Sequence, residues 1–83
     1  MAEQEIGKIT HVFSHINVAV VKVTGKLKVG DVIHIKGSTT DFMQKVGSMQ
    51  IEHQKVMEAK KGDDIGMKID KIVKENDIVF KMD

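Results

Sequence analysis

The stretch LKVGDVIHIKG, residues 27–37, decides how the rest of the chain is read. Gly30 is a residue that tolerates left-handed backbone, and Asp31 after it can accept backbone N–H groups, so the pair marks a tight turn. Beyond the turn the side chains alternate: Ile33 and Ile35 fall on one face of a strand, Val32, His34 and Lys36 on the other. The isoleucines are expected to point inward. The same device recurs at KGDDIG, starting at Lys61, and at ENDIVF, starting at Glu75. Each places Gly or Asn before Asp and then an apolar strand. Asp31, Asp63, Asp64 and Asp77 therefore read as strand-initiating turn residues. A divalent-metal cluster is the competing reading, but no loop has calcium-type ligand spacing.

Outward from that stretch, branched residues at every second place predict strands. They cover residues 6–13 and 18–23, with Ser14 to Asn17 closing a hairpin, and residues 31–36. FMQKVGSMQIEH, residues 42–53, reads as one strand with a fault. Phe42, Gln44 and Val46 share one parity, Met49 and Ile51 the other. A straight strand cannot bury both sets on one side, so a bulge or bend is expected at Gly47-Ser48. Val56 and Ala59 are spaced as on a helical turn and predict an irregular segment ending at Gly62. Ile65, Met67 and Ile69 share one face, and Gly66 between them suggests close backbone approach. For the last strand, residues 77–82, the expected inward set is Ile78, Phe80 and Met82. Ile72 and Val73 are expected to be partly buried. The sum is an all-β domain, a small closed barrel of six or seven strands, with residues 1–4 as a flexible tail and 5–83 as the single domain.

Composition narrows the function. The chain has 83 residues, 13 basic against 12 acidic and a formal net charge of +1, so it is no strong polyanion binder by charge alone. A domain this small buries only about 60% or a little more of its unfolded surface. Cysteine is absent, which rules out disulfides and thiolate zinc sites and fits a reducing compartment. No apolar run approaches the roughly 20 residues that span a bilayer, and the N-terminus lacks a signal-peptide pattern, so a soluble, cytoplasmic protein is expected. Every basic residue is lysine, which removes bidentate phosphate forks. With no Trp or Tyr, only Phe13, Phe42 and Phe80 can stack on a base.

Catalytic signatures are weak. GKIT at Gly7 lacks the frame of a phosphate loop and lies in a predicted strand. Ser14 and His15 are neighbours that point apart on a strand, and no third group orients them. His11 and His15 are four apart, a spacing that aligns ligands on a helix but not here. No enzyme activity, cofactor, nucleotide or metal is expected.

GKITHVF, AVVKVTGKLKVGDVIHIKG, VGSMQIEHQKVMEAKKGDDIGMKI and ENDIVFK together resemble the second domain of translational GTPases such as elongation factor Tu. The order and spacing of these motifs run from Glu5 to Lys81. The chain resembles most the stand-alone translation elongation factor-like proteins, and a similar barrel forms the C-terminal domain of collagenase-like peptidases. SMQIEH points to this pair more than to elongation factor Tu itself. The resemblance implies a translation-protein barrel whose nucleotide or peptidase site lies in other domains. It also implies a function in translation, binding tRNA or ribosomal RNA. The candidate contacts are Lys36, Ser38, Thr39, Thr40, Gln44, Lys45, Gln50, His53 and Lys55, with Gln54, Lys60 and Lys61 as further polar groups and His11 as an added donor. For any one lysine a solvated surface is an equal explanation. The alternative is a protein–protein interaction module related to the peptidase domain, using exposed methionines such as Met43 or Met57.

Overall fold

The computed structural model describes residues 3–52 and 54–82. Among them there is no helix. The strands are β1 (Glu3–Phe13), β2 (Val18–Val23), β3 (Leu27–Lys28), β4 (Val32–Lys36), β5 (Asp41–Lys45), β6 (Met49–Ile51), β7 (Gln54–Val56), β8 (Glu58–Ala59), β9 (Asp64–Lys68) and β10 (Ile78–Met82). Eight form one sheet in the order β5-β4-β10-β1-β2-β9-β6-β7, and β3 pairs with β8 in a separate ribbon. All pairings are antiparallel. The strand β1 is long enough to serve two neighbours because its register shifts between Glu5 and Gly7 on the β10 side and between Ile9 and His11 on the β2 side. Such shifts add local twist and let a strand coil.

Three turns set where strands begin. In Lys28-Val29-Gly30-Asp31, the Lys28 N–H donates to the Asp31 carboxylate (3.0 Å) and the Asp31 N–H donates back to the Lys28 carbonyl (3.1 Å). Lys60 with Asp63 repeats this at 3.0 and 3.0 Å. Lys74 with Asp77 repeats it at 2.9 and 3.2 Å. The third residue of each turn is left-handed: φ is 98° at Gly30, 96° at Gly62 and 75° at Asn76. Only Gly and Asn adopt that conformation at little cost.

Each turn then locks onto an adjacent strand by a reciprocal backbone pair. Gly30 N–H donates to the Val46 carbonyl and Val46 N–H to the Asp31 carbonyl, both at 2.8 Å. Gly62, Asp63 and Val23 do the same at 2.8 Å, as do Asn76, Asp77 and Ile9 at 2.7 and 2.8 Å. The residue two after each aspartate, Ile33, Ile65 or Val79, is fully buried.

The fault expected in residues 42–53 is present. The strand β5 ends at Lys45, residues 46–48 are irregular, and β6 starts at Met49. Val46 and Met49 are both buried, on opposite parities. The interruption moves the chain from β4, on one flank of the sheet, to β9, near the other. The core is aliphatic: Ile9, Leu27, Ile33, Ile35, Met49, Ile65 and Met67 are its largest fully buried side chains, and no phenylalanine is among the buried residues.

Several expectations need correction. Val79 alone of the last strand is buried, while Ile78, Phe80 and Met82 lie half-buried on the opposite face. The Asp77 turn fixes that parity. Glu3 and Gln4, expected in a flexible tail, pair with Met82 and Lys81 as the start of β1. Residues 54–59 form two short strands in place of the irregular segment expected, with Val56 packed against the core and Ala59 buried opposite Leu27. Val73 is buried, but Ile72 is 86% exposed. The sheet and ribbon hold more strand segments than the six or seven expected, because β3, β7 and β8 are two- or three-residue pieces.

Asp77 is buried, and Gly37 packs against it so closely that a Cβ at residue 37 would fall 1.8 Å from the Asp77 Oδ1. Gly37→Ala is expected to cost about 1–3 kcal/mol by overpacking. Asp77→Ala is expected to cost about 1.5–3 kcal/mol through the lost charge-assisted bond to Lys74 N–H. The two penalties should not add, because removing the carboxylate removes the clash. Urea unfolding of both single variants and the double variant measures this, and simple additivity would contradict the packing described.

Candidate functional site

The β4–β5 hairpin carries most of the residues picked out from sequence. Lys36, Ser38, Thr39 and Lys45 are exposed there, while Thr40 and Gln44 are buried. Gln50 and Lys55 sit opposite each other on β6 and β7, at the far end of the strand order. Gln54, Lys60, Lys61 and His11 are exposed; His53 lies outside the described residues. The candidates thus occupy two flanks, not one patch.

Two of them are engaged in the fold itself. Gln44 donates from Nε2 to the Lys68 carbonyl and accepts from the Asp70 N–H at Oε1, both at 3.0 Å. Both ends of the amide are used, tying β5 to the end of β9. Lys36 reaches Glu3 Oε1 at 3.0 Å and lies 5.4 Å from the centre of the Phe80 ring.

Beside Lys36 is a cluster that sequence reasoning missed. His34 Nδ1 meets Glu3 Oε2 at 2.5 Å, and its Nε2 meets Asp41 Oδ1. Two carboxylates on the two ring nitrogens suit an imidazolium, which donates from both. The bond to Asp41, then that to Glu3, raises the His34 pKa above its ordinary value against the opposing effect of burial. His34 and then Lys36 hold the Glu3 carboxyl low, and His34 does the same for Asp41. The carboxylates lie on opposite edges of the ring, so the three do not converge on one ion. Among the described residues no His, Cys, Asp and Glu group could hold a metal.

On the other flank, the outer surface of β2, β9 and β6 holds an apolar groove of about 280 Å³. Val18 and Val20 of β2 point outward, since Ala19, Val21 and Val23 fill the core. Gly66 sits between Val20 and Gln50 in the cross-strand row, so the middle of the row has no side chain. Phe13 (46% exposed) and Ile16 (63% exposed) wall one end, and Glu52 and Asp64 line the groove with Gln50. The close approach expected at Gly66 is not found: a Cβ there would meet only Val18 Cγ1, at an ordinary 3.5 Å. A second hollow of about 220 Å³ lies between Val29, Met49, Val56 and the exposed Met57. Met43 is exposed as well.

No family model matches the chain. An uncharacterized protease of Methanocaldococcus jannaschii is 40% identical over 77 residues, a match covering 92% of this chain and 19% of the relative. The chain therefore spans about a fifth of the length of the curated relative it matches. Two crystal structures of the C-terminal domain of a Geobacillus thermoleovorans U32 peptidase share the fold. One aligns with a TM-score of 0.90 at 14% identity, covering 96% of this chain and 93% of that one. The other, a selenomethionine variant, aligns with a TM-score of 0.87 at 14% identity, covering 92% and 96%. These findings support the peptidase-domain half of the resemblance and not the elongation factor Tu half.

The His34 cluster gives a signed pH dependence. A raised folded pKa means that the contribution of His34 is complete below its ordinary value of 6.5 and is lost as pH rises through the folded value. Glu3 and Asp41 act oppositely, and their contribution disappears as the solution is acidified below the usual carboxylate range. Thermal unfolding should show Tm declining on the alkaline side of pH 6.5, and His34→Gln should flatten that decline. Separately, Gln44→Leu should cost about 1–3 kcal/mol, because the Lys68 carbonyl and Asp70 N–H lose their partner; an unchanged urea midpoint would contradict the bridging role.

Proposed function

We propose that this chain is a closed β-barrel serving as a protein–protein interaction module of the kind joined to U32 peptidases, with no catalytic role of its own. The support for closure is local. Residues 46–48 connect the two flanks of the sheet, and the four steps from Lys45 to Met49 reach at most about 14 Å. Gln44 spans the same gap with two hydrogen bonds to the β9 end, and Val46 exchanges backbone bonds with the Gly30-Asp31 turn. A barrel removes most exposed edges, the usual hazard of a lone small β domain.

The observation that carries the functional reading is the 40% identity to one fifth of a protease. The segment corresponds to a domain and not to a whole enzyme, and the shared fold occurs as the C-terminal domain of a peptidase. The apolar groove over Gly66 supplies a surface on which other polypeptide can be held. The lysines offer less. Lys36 is committed to Glu3 and Phe80, and Gln44 and Thr40 are buried.

Affinity capture with the tagged chain, before and after nuclease treatment, tests the choice between protein and RNA. Protein partners should be retained after nuclease. Titration with tRNA should show no binding that weakens steeply with salt, the mark of phosphate neutralisation by lysine. Salt-sensitive tRNA binding together with nuclease-sensitive capture would reverse the reading in favour of tRNA or ribosomal RNA.

A further inference from the structure

Gly66 is the anomaly from which a docking site can be read. A glycine inside a strand loses packing and conformational entropy, so it usually marks a bulge, a left-handed residue or a close backbone approach. None of these applies. Gly66 is in register with Val20 on one side and Gln50 on the other. It is not among the glycines with positive φ. The nearest atom to a Cβ placed on it is Val18 Cγ1 at 3.5 Å, an ordinary contact. The fold does not require a glycine here; what the missing side chain creates is the groove.

The charge lining the groove is also of one sign. Its floor is Val18, Val20 and Gly66, and its two charged lining residues, Glu52 and Asp64, are both acidic. This occurs in a chain with 13 lysines and a net charge of +1. Gln50–Gly66 is the last pair of the β6–β9 ladder, and Glu52 follows in the turn to β7, lining the same trough as Asp64. Lys22 and Lys68 stand at the ends of the same outer face, opposite Asp64 and Val18, but neither lines the groove. Among the described residues, neither Glu52 nor Asp64 forms an ion pair. Two carboxylates and no cation among the lining residues make the trough complementary to a positively charged side chain.

We infer that the trough over Gly66 receives an extended segment of a partner protein in which an apolar residue and a lysine or arginine stand two places apart. Alternate residues of an extended chain project on one face about 6.6–7 Å apart. The apolar side chain seats over Gly66 between Val20 and Gln50, and the cation reaches Glu52 and Asp64. This rests on the protein-interaction reading above and names its surface and the chemistry of its partner.

The test uses the whole chain and two short synthetic peptides of the patterns Leu-Ser-Lys and Leu-Ser-Glu, followed by ¹H–¹⁵N spectra. The Leu-Ser-Lys peptide should shift Val18, Val20, Gln50 and Gly66, and the Leu-Ser-Glu peptide should bind about tenfold more weakly or worse, a difference of about 1.4 kcal/mol. The double variant Glu52→Lys, Asp64→Lys should reverse that preference. Gly66→Val should raise the urea midpoint, since valine suits a strand, while weakening the peptide about tenfold or more by filling the trough. Overturning results are no shift with either peptide, shifts spread over unrelated acidic sites, a Gly66→Val variant that binds like the parent, or one that is less stable than it. If Gly66→Val still captures the nuclease-resistant partner as well as the parent does, the groove assignment falls and the interaction reading stands. If no partner survives nuclease while the peptide seats over Gly66, the reverse holds.

Discussion

The structure depends on a backbone exchange made three times. A left-handed Gly or Asn and the aspartate after it trade N–H and carbonyl groups with one residue of an adjacent strand or its extension: Val46, Val23 or Ile9. The aspartate side chain meanwhile holds the start of its own turn. Each turn therefore fixes two things together, where a strand begins and which neighbour it joins. Because side chains alternate, fixing the first residue fixes every inward residue after it. Ile33, Ile65 and Val79 are buried for that reason, each two places beyond its aspartate. In a core with no fully buried aromatic ring to anchor register by bulk, these turns supply much of the specificity.

This explains which parts of the fold are legible in the sequence. The turns, the inward pairs Ile33/Ile35 and Ile65/Met67 and the break around Gly47 are local patterns, visible as residue types at short spacing. The face of β10 misleads for an instructive reason. Ile78, Phe80 and Met82 outweigh Val79 in apolar bulk, and bulk alone selects the wrong face. The aspartate two residues before Val79 is the better guide, and the two sister turns display the same rule.

The features hidden from sequence join residues distant along the chain. Gln44 has the look of a surface amide, yet its partners are the backbone of residues 68 and 70. His34 has the look of an isolated residue; Glu3 lies 31 residues before it and Asp41 reaches it across the hairpin. Neither arrangement has a periodicity to reveal it. The groove is half visible. Consecutive valines in residues 18–23 imply apolar side chains on both faces of β2, and Gly66 stands out among alternating residues. Their meeting in one cross-strand row requires the pairing of β2 with β9. The paired histidine of β4 and the acid-lined apolar trough over β2 and β9 accordingly lie on different parts of the sheet.

The pairing of β1 with β10 has a consequence of its own. Glu3 lies opposite Met82, so the polypeptide arrives and departs at adjacent points on one side of the domain. Residues 3 and 82 are thereby held together in one ladder, and drawing them apart means breaking the β1–β10 register. The floor of the trough belongs instead to β2 and β9, and β1 reaches it only through Phe13 at the far end from Glu3.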